Sequence, residues 1–371
     1  MKVIMVAGGT GGHIYPAIAI MNKIKEKEKK CEFLYIGTTD RMEKDIIPKL
    51  DIPFIGIPMK GINRKNVFDN IQVTKMFLQA VKKAKTIIQE FQPDIVIGAG
   101  GYITAPVLYA AHQLHVPILI HEQNSIPGVS NKFIGRFADR ICVSLPNSLK
   151  LFPKEKVVYT GNPRSEEIIQ VKKELKSTLG FDDNKKLVVV VMGSLGSTTM
   201  TKKLKELIPS FSNKNYQVLV ITGKNYYDDY KDVSVPDNCK VVPFRDDLIC
   251  LLKDSDLIVS RAGASTIAEI TAIGLPAILV PSPYVTNYHQ YKNAKELADQ
   301  GACKIVLEDE FSKDKILQEI DAIFDDKNYY QSMQENSRKL GIPDSASRIY
   351  QEVKRIIRWF LWINILILLK S

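Results

Sequence analysis

Short apolar, β-branched runs recur along this chain, each followed by a turn and then a stretch of helical periodicity. One series falls at residues 3–7, 33–36, 94–97, 118–121 and 140–143. A second follows at 187–192, 217–221, 240–243, 257–260, 277–280 and 304–307. Runs that are apolar on both faces and alternate with helices belong in parallel sheets with crossover helices. Two series, each opening with a strand and a glycine-rich turn, predict an α/β protein of two Rossmann-like domains. The turn-forming cluster Gly161-Asn162-Pro163-Arg164 marks the hinge. The expected division is 1–163 and 164–340, with 341–371 a C-terminal helix packing back on the first domain and ending in an apolar tail. Ligands of doubly wound sheets bind outside the carboxyl ends of the strands, so two facing domains would enclose a cleft.

The composition agrees with a globular protein. The 371 residues are 45% hydrophobic and 25% charged, which excludes disordered, collagenous and coiled-coil chains. A net charge of +10 favours anionic partners, whether nucleic acid, phosphorylated ligands or an acidic membrane face. No nucleic-acid module accompanies that charge. The five cysteines are scattered and form no Cys-x-x-Cys pair, so neither a disulfide framework nor a zinc site is expected. The apolar start runs into glycines too early for a signal peptide, which predicts an intracellular protein.

The segment Gly8-Gly9-Thr10-Gly11-Gly12-His13 follows the first strand. Its glycines let backbone amides crowd toward an anion, and a helix expected at 16–27, with Pro16 in its first turn, adds its dipole. The dinucleotide spacing is broken, because Ile14 stands where its last glycine would be. His13, at the loop-to-helix junction, is either a base toward a sugar hydroxyl or a histidine that shapes the turn. Gly98-Ala99-Gly100-Gly101-Tyr102 repeats the logic after the strand at 94–97 and predicts a second anion nest. His121-Glu122-Gln123-Asn124 ends a buried strand with polar side chains that require partners or a function.

In the second half, Ser260 to Glu269 carries a strand end into a helix. Amides of Ala264, Ser265 and Thr266 would meet a diphosphate, and Glu269 a ribose diol. Gln290 and Asn293 share a helical face suited to a hydroxyl-rich sugar. Asp254-Ser255-Asp256 resembles a metal-binding Asp-x-Asp but enters a strand, which makes it a solvated turn. His112 and His115, expected on one helix face at i, i+3, lack the carboxylate or cysteine a metal site needs.

The segments GGTGGHIYPA (8–17), GAGGYITAP (98–106), HEQNSIPGVSNK (121–132), TGNPR (160–164), SRAGASTIAE (260–269) and HQYKNA (289–294) together resemble the MurG family of peptidoglycan N-acetylglucosaminyltransferases, two-domain enzymes of the GT-B type. The resemblance implies an inverting hexosyltransferase. Such an enzyme moves N-acetylglucosamine from UDP-N-acetylglucosamine (UDP-GlcNAc) to the C4 hydroxyl of the muramoyl sugar of lipid I, giving lipid II. It assigns the donor to Thr10, Gly11, Gly12, Asn124, Arg164, Ser194, Arg245 (through its backbone), Ala264, Ser265, Thr266, Ile267, Ala268, Glu269 and Gln290. It assigns the acceptor pyrophosphate to Gly12, His13, Gly100, Gly101 and Tyr102, and catalysis to His13. No cofactor or metal is implied. Other UDP-sugar transferases and UDP-GlcNAc epimerases share the fold, and a non-catalytic nucleotide-sugar sensor would keep the donor site alone. Leu195 departs from the family's glutamine, which bears on donor affinity.

Lipid I lies in a bilayer, so the resemblance places the protein peripherally on the cytoplasmic membrane face, with other cell-wall assembly proteins as further partners. Residues 60–85 mix Lys60, Arg64, Lys65, Lys75, Lys82, Lys83 and Lys85 with Val67, Phe68, Ile71, Met76, Phe77 and Leu78. They form either an anionic-lipid surface or a solvated helix with an ordinary core face. The apolar stretch 356–369 is shorter than the roughly 17–25 residues of a spanning helix. It is an interfacial anchor or a helix packed on the first domain.

Overall fold

The computed structural model describes residues 1–61, 69–193, 198–245 and 247–368. Seven strands form one sheet: β1 (Lys2–Val6), β2 (Glu32–Gly37), β3 (Phe54–Gly56), β4 (Ile95–Gly98), β5 (Ile118–Glu122), β6 (Arg140–Val143) and β7 (Val157–Tyr159). Six form a second: β8 (Leu187–Val191), β9 (Gln217–Ile221), β10 (Cys239–Val242), β11 (Leu257–Ser260), β12 (Ala277–Leu279) and β13 (Cys303–Ile305). The helices of the first half are α1 (Gly11–Lys27), α2 (Glu43–Ile46), α3 (Asp69–Phe91), α4 (Thr104–Gln113), α5 (Val129–Ile134) and α6 (Arg164–Gln170). Those of the second half are α7 (Thr198–Leu207), α8 (Leu248–Leu252), α9 (Ala264–Ile273), α10 (His289–Ala298), α11 (Lys313–Asp325), α12 (Lys327–Leu340) and α13 (Ser345–Leu368).

Both sheets are parallel throughout. Their orders are β3-β2-β1-β4-β5-β6-β7 and β10-β9-β8-β11-β12-β13. In each the chain reverses its direction of travel between the first and fourth strands of the unit, β1 beside β4 and β8 beside β11. That is where a doubly wound sheet opens a ligand crevice. The strand interiors are fully buried, Val3 to Val6 and Val188 to Val190 among them, because helices cover both faces.

The chain divides into two compact units, Met1–Arg164 with Asp344–Ser371, and Ser165–Pro343. Gly341 shows why residues 341–343 stay with the second unit: a Cβ there would collide with the Thr271 carbonyl of α9. Helix α13 returns to the first unit and seats Ile349, Val353 and Ile356 in the core beneath α1. Glu28, just past α1, accepts from Tyr350 Oη at 2.6 Å and Lys354 Nζ at 2.7 Å. Arg140 of β6 pairs with Glu352 at 2.9 Å.

Two local expectations are corrected. α1 begins at Gly11, five residues before Pro16, so Pro16 lies inside the helix and His13 in its first turn. The missing Pro16 amide leaves the Gly12 carbonyl without its usual donor, which the first turn tolerates beside a flexible glycine. His115 follows α4 in a left-handed conformation (φ 55°) and shares no helix face with His112, whose ring stacks on Phe137 at 4.7 Å.

Replacing Ile349 by Ala is expected to lower the unfolding free energy by about 2–5 kcal/mol, since the cavity opens inside a fully packed cluster. Denaturant melts of the intrinsic fluorescence read this directly, because both tryptophans lie on α13.

Candidate functional site

Two glycine loops meet at the carboxyl edge of the first sheet. Gly8 donates its amide to the Gly100 carbonyl at 3.1 Å. Gly101 (φ 96°) comes so near that a Cβ on it would strike the Gly8 backbone, and one on Gly100 (φ 103°) would sit 2.6 Å from the His13 ring. Only glycine meets both demands, a positive φ and backbone at van der Waals distance. The His13 ring is thereby wedged against the 100–101 loop, and its Nδ1 lies 3.2 Å from the Gly8 carbonyl.

The open nest expected at 8–12 is corrected in part. The Gly8 amide is consumed by Gly100, and the Gly9 amide donates to Glu43 Oε2 at 3.1 Å. The amides left for an anion belong to the start of α1, Gly11 and Gly12, which have no preceding turn to bond to. Glu43 carries no sequence signature and was missed. It is a buried carboxylate that also accepts from Thr38 N at 2.8 Å and Thr38 Oγ1 at 2.7 Å. Tyr102, the outermost residue of the second loop, is half exposed against Gly61.

The polar strand end at 121–124 is largely engaged in organising its own loop, although His121 Nδ1 and Gln123 Oε1 are buried without a hydrogen-bond partner. Glu122 accepts from Asn124 N, Gly128 N and Asn131 Nδ2 at 2.9, 3.0 and 3.0 Å. Burial pushes its carboxyl up, against the pull of those donors. Asn124 also bonds Glu122 through its side chain at 3.2 Å. Gln123 reaches Ala99 O at 2.7 Å and ties this loop to the glycine loop after β4. His121 is buried against Ser144 Oγ (3.1 Å) and Gly161 O (3.3 Å), and burial lowers it to about 4, so it stays neutral. Arg164 opens α6, with its guanidinium 5.7 Å from the centre of the Tyr15 ring.

The second unit has its own anion-binding geometry. Gly263 caps α9, and the amides of Ala264, Ser265 and Thr266 open that helix. Ser265 Oγ is buried without a hydrogen-bond partner, the kind of orphan a ligand satisfies. Glu269 is buried one turn further on, with Ile267 and Ala268 between as core residues. The loop before α9 is pinned from below, where Arg261 reaches Val280 O at 3.1 Å and pairs with buried Glu308 at 2.6 Å. Gln290 accepts from Ser282 N at 2.8 Å, which fixes its amide orientation.

Asn293, expected beside Gln290 on a sugar-binding face, is instead fully buried and holds Ala262 O at 3.4 Å. The Arg245 side chain pairs with Glu174 at 2.7 Å and Asp247 at 2.8 Å. Ser194 and Leu195 lie outside the described residues. Asp254 and Asp256 do lie in a turn before β11, partly exposed, but their carboxylates are engaged rather than simply solvated. They accept from the Lys176 and Leu187 amides at 2.8 and 2.7 Å and pair with Lys173 and Lys176. Among the described residues no cluster of three His, Cys, Asp or Glu side chains is gathered as a metal set.

Fold and site together define a glycosyltransferase with two α/β domains. Residues 3–143 match the glycosyltransferase family 28 N-terminal domain, and residues 187–349 the C-terminal domain. A UDP-N-acetylglucosamine–N-acetylmuramyl-(pentapeptide) pyrophosphoryl-undecaprenol N-acetylglucosamine transferase of Bacillus cytotoxicus is 43% identical over 96% of this chain and 100% of its own. Transferase 1 of the same name from Bacillus cereus is 42% identical with equal coverage. The crystal structure of MurG from Acinetobacter baumannii superposes with a TM-score of 0.76 at 28% identity, covering 95% and 99% of the two chains. A UDP-GlcNAc 2-epimerase from Neisseria meningitidis shares the fold at 16% identity, covering 96% and 100% (TM-score 0.68). The chain belongs to the MurG family of N-acetylglucosaminyltransferases, within glycosyltransferase family 28.

Gly101→Ala is expected to destabilise the first unit by about 1–3 kcal/mol, because neither the Gly8 backbone nor the positive φ can yield cheaply. Gly128→Ala, where a Cβ meets nothing within 4 Å, is the control and should stay within about 0.5 kcal/mol in the same melt.

Proposed function

We infer that this protein transfers N-acetylglucosamine from UDP-N-acetylglucosamine to the muramoyl C4 hydroxyl of lipid I, with inversion. The observation that carries this reading is the match to the transferases over their entire length, with both family domains represented. The epimerases share only the fold.

The site residues take roles that their positions favour. Ala264 to Thr266 receive the donor diphosphate at the start of α9, Ser265 Oγ gains its missing partner, and Glu269 faces the ribose. Gln290, held by Ser282, presents its amide hydrogens to the sugar. Asn124, Arg164, Ser194, the Arg245 backbone and Thr10 to Gly12 complete the donor contacts, and Gly12, His13, Gly100, Gly101 and Tyr102 hold the acceptor pyrophosphate. His13 takes the proton from the acceptor hydroxyl. The oxygen then attacks the anomeric carbon opposite the leaving group, and the bond to UDP breaks with its electron pair on the diphosphate. Negative charge grows there as it departs, and aligned amides at a helix N-terminus stabilise it without a metal ion. Acceptor-dependent UDP release with a lipid I analogue is therefore expected to proceed at full rate in chelator, giving a β-linked disaccharide. Release without acceptor, or strict dependence on added magnesium, would overturn the reading.

The same reading makes attachment to the membrane peripheral. Among the described residues no helix is long and apolar enough to cross a bilayer. α3 has two faces: Val73, Met76, Phe77, Ala80 and Val81 pack inward, whereas Ile71 (71% exposed) and Leu78 (63%) lie outward among Lys75 and Lys82. The expected patch thus loses Met76 and Phe77 to the core, and its Arg64, Lys65, Val67 and Phe68 lie outside the described residues. On α13, Trp359, Leu361 and Trp362 are more than half exposed beside exposed Arg355 and Arg358. Aromatic and basic residues in this arrangement suit an anionic headgroup layer. Truncation after Arg358 is expected to reduce cosedimentation with anionic vesicles several-fold while donor binding is unchanged. Full cosedimentation of the truncated chain would remove the tail from the attachment.

A further inference from the structure

The Gly8–Gly9 peptide group is engaged at both ends. Its carbonyl lies 3.2 Å from His13 Nδ1, and its N–H donates to Glu43 Oε2 at 3.1 Å. A carbonyl only accepts, so the His13 contact requires hydrogen on Nδ1 and leaves Nε2 as the basic nitrogen of the neutral ring. We propose that Glu43 is the orienting carboxylate of His13, acting through the intervening Gly8–Gly9 peptide rather than by direct contact. Glu43 is a positioning residue in this scheme and touches no substrate.

The physical basis is polarisation. A peptide N–H that donates to a carboxylate has a more negative carbonyl, and hydrogen bonds in such a chain strengthen one another in a low-dielectric interior. That carbonyl holds Nδ1–H more firmly and stabilises the imidazolium formed when Nε2 takes the acceptor proton. Direct His–carboxylate pairs do the same work over a shorter path.

The surroundings are arranged for this carboxylate. It is fully buried on α2, its Oε1 accepts both the amide and hydroxyl of Thr38, and Gly8 and Gly37 make room for it: a Cβ on either would lie 2.5 Å from its atoms. Glutamine cannot replace it evenly, since one of its two ends must turn an NH2 toward a backbone N–H. Two further titratable groups interact electrostatically with the pair, His121 of β5 with His13 and Tyr35 of β2 with Glu43. Burial keeps both neutral through the range in which an imidazole titrates. Arg164 contributes its cation above the Tyr15 ring, further along α1.

This inference rests on His13 as the base, and the test separates the two claims. The activity of wild type, Glu43→Gln, His13→Ala and the double variant would be followed against pH with a lipid I analogue. Glu43→Gln is expected to lower kcat about tenfold. It should also move the acid limb to lower pH, because losing a nearby anion makes the imidazole less basic. KM for UDP-N-acetylglucosamine should stay within about twofold, since α9 is untouched. In the His13→Ala background Glu43→Gln should have no further effect, as expected for residues that act as one unit. An undisplaced limb, or an equal loss in both backgrounds, overturns the proposal while leaving His13 as base. Full activity of His13→Ala overturns the base assignment and Glu43's role with it. Should Glu43→Gln fail to fold, Thr38→Val removes only the hydroxyl that steadies Oε1. It is expected to lower kcat about two- to fivefold at constant donor KM, and an unchanged kcat would count against the proposal.

Discussion

The backbone of Gly101 rests on the backbone of Gly8, and the placing of the two glycine loops and of the His13 ring depends on that approach. A parallel sheet that reverses between β1 and β4 places the ends of those two strands side by side. Side chains at the junction would hold the loops apart and leave only a crevice. Glycines close the distance, so the Gly8 amide bonds Gly100 directly and the His13 ring has a wall to lie against. The contact uses up the Gly8 amide, and Glu43 takes that of Gly9, both of which an isolated reading of the loop offers to a ligand. What remains is narrower and better directed, namely the first turn of α1 with one imidazole at its edge.

The second unit meets a similar demand with a different device. Its strands β8 and β11 also lie at a reversal, but what stands there is a helix start with Gly263 at its N-cap rather than two interlocked loops. The loop into α9 is held by the buried Arg261–Glu308 pair and by Asn293 at the Ala262 carbonyl. A buried ion pair contributes little net stability when both partners are present, yet losing one partner leaves an isolated buried charge. Its value here is in position, because the α9 amides cannot drift relative to the β12 and β13 ends to which Arg261 is tied.

Most of the strands were legible because a strand buried on both faces is a continuous apolar run, as at 187–191. β3 and β7 escaped for the same reason in reverse: each is three residues at a sheet edge, only partly buried, with no run to detect. The start of α1 was misplaced because proline ordinarily marks a first turn, whereas here two glycines begin the helix and proline sits inside it. The site was legible wherever backbone chemistry carried it, in the glycine loops and the helix start at 264. Tertiary partners left no trace. Glu43 lies between Met42 and Lys44 in an unremarkable charged segment, and nothing in its spacing brings it to the Gly9 amide. Asn293 looked like a ligand residue because its helical face pairs it with Gln290, yet packing against Ala262 buries it.

On the proposed reading the chain acts on a lipid from the membrane surface, which calls for attraction that is strong in sum and weak in each part. The exposed stripe of α3 and the end of α13 meet that condition, each pairing a few apolar side chains with lysine or arginine on a helix whose other face is anchored in the core. A basic residue near an anionic surface contributes about 1 kcal/mol, and the attraction fades within a Debye length of about 8 Å. Neither segment alone therefore commits the protein to the membrane. The two together would, on the proposed reading, give avidity, while each could release as product lipid is exchanged for substrate. The charge surplus of the chain would, on the same reading, help hold the first unit at a surface, whereas the amides at the start of α9, in the second unit, would draw a donor anion through helix geometry.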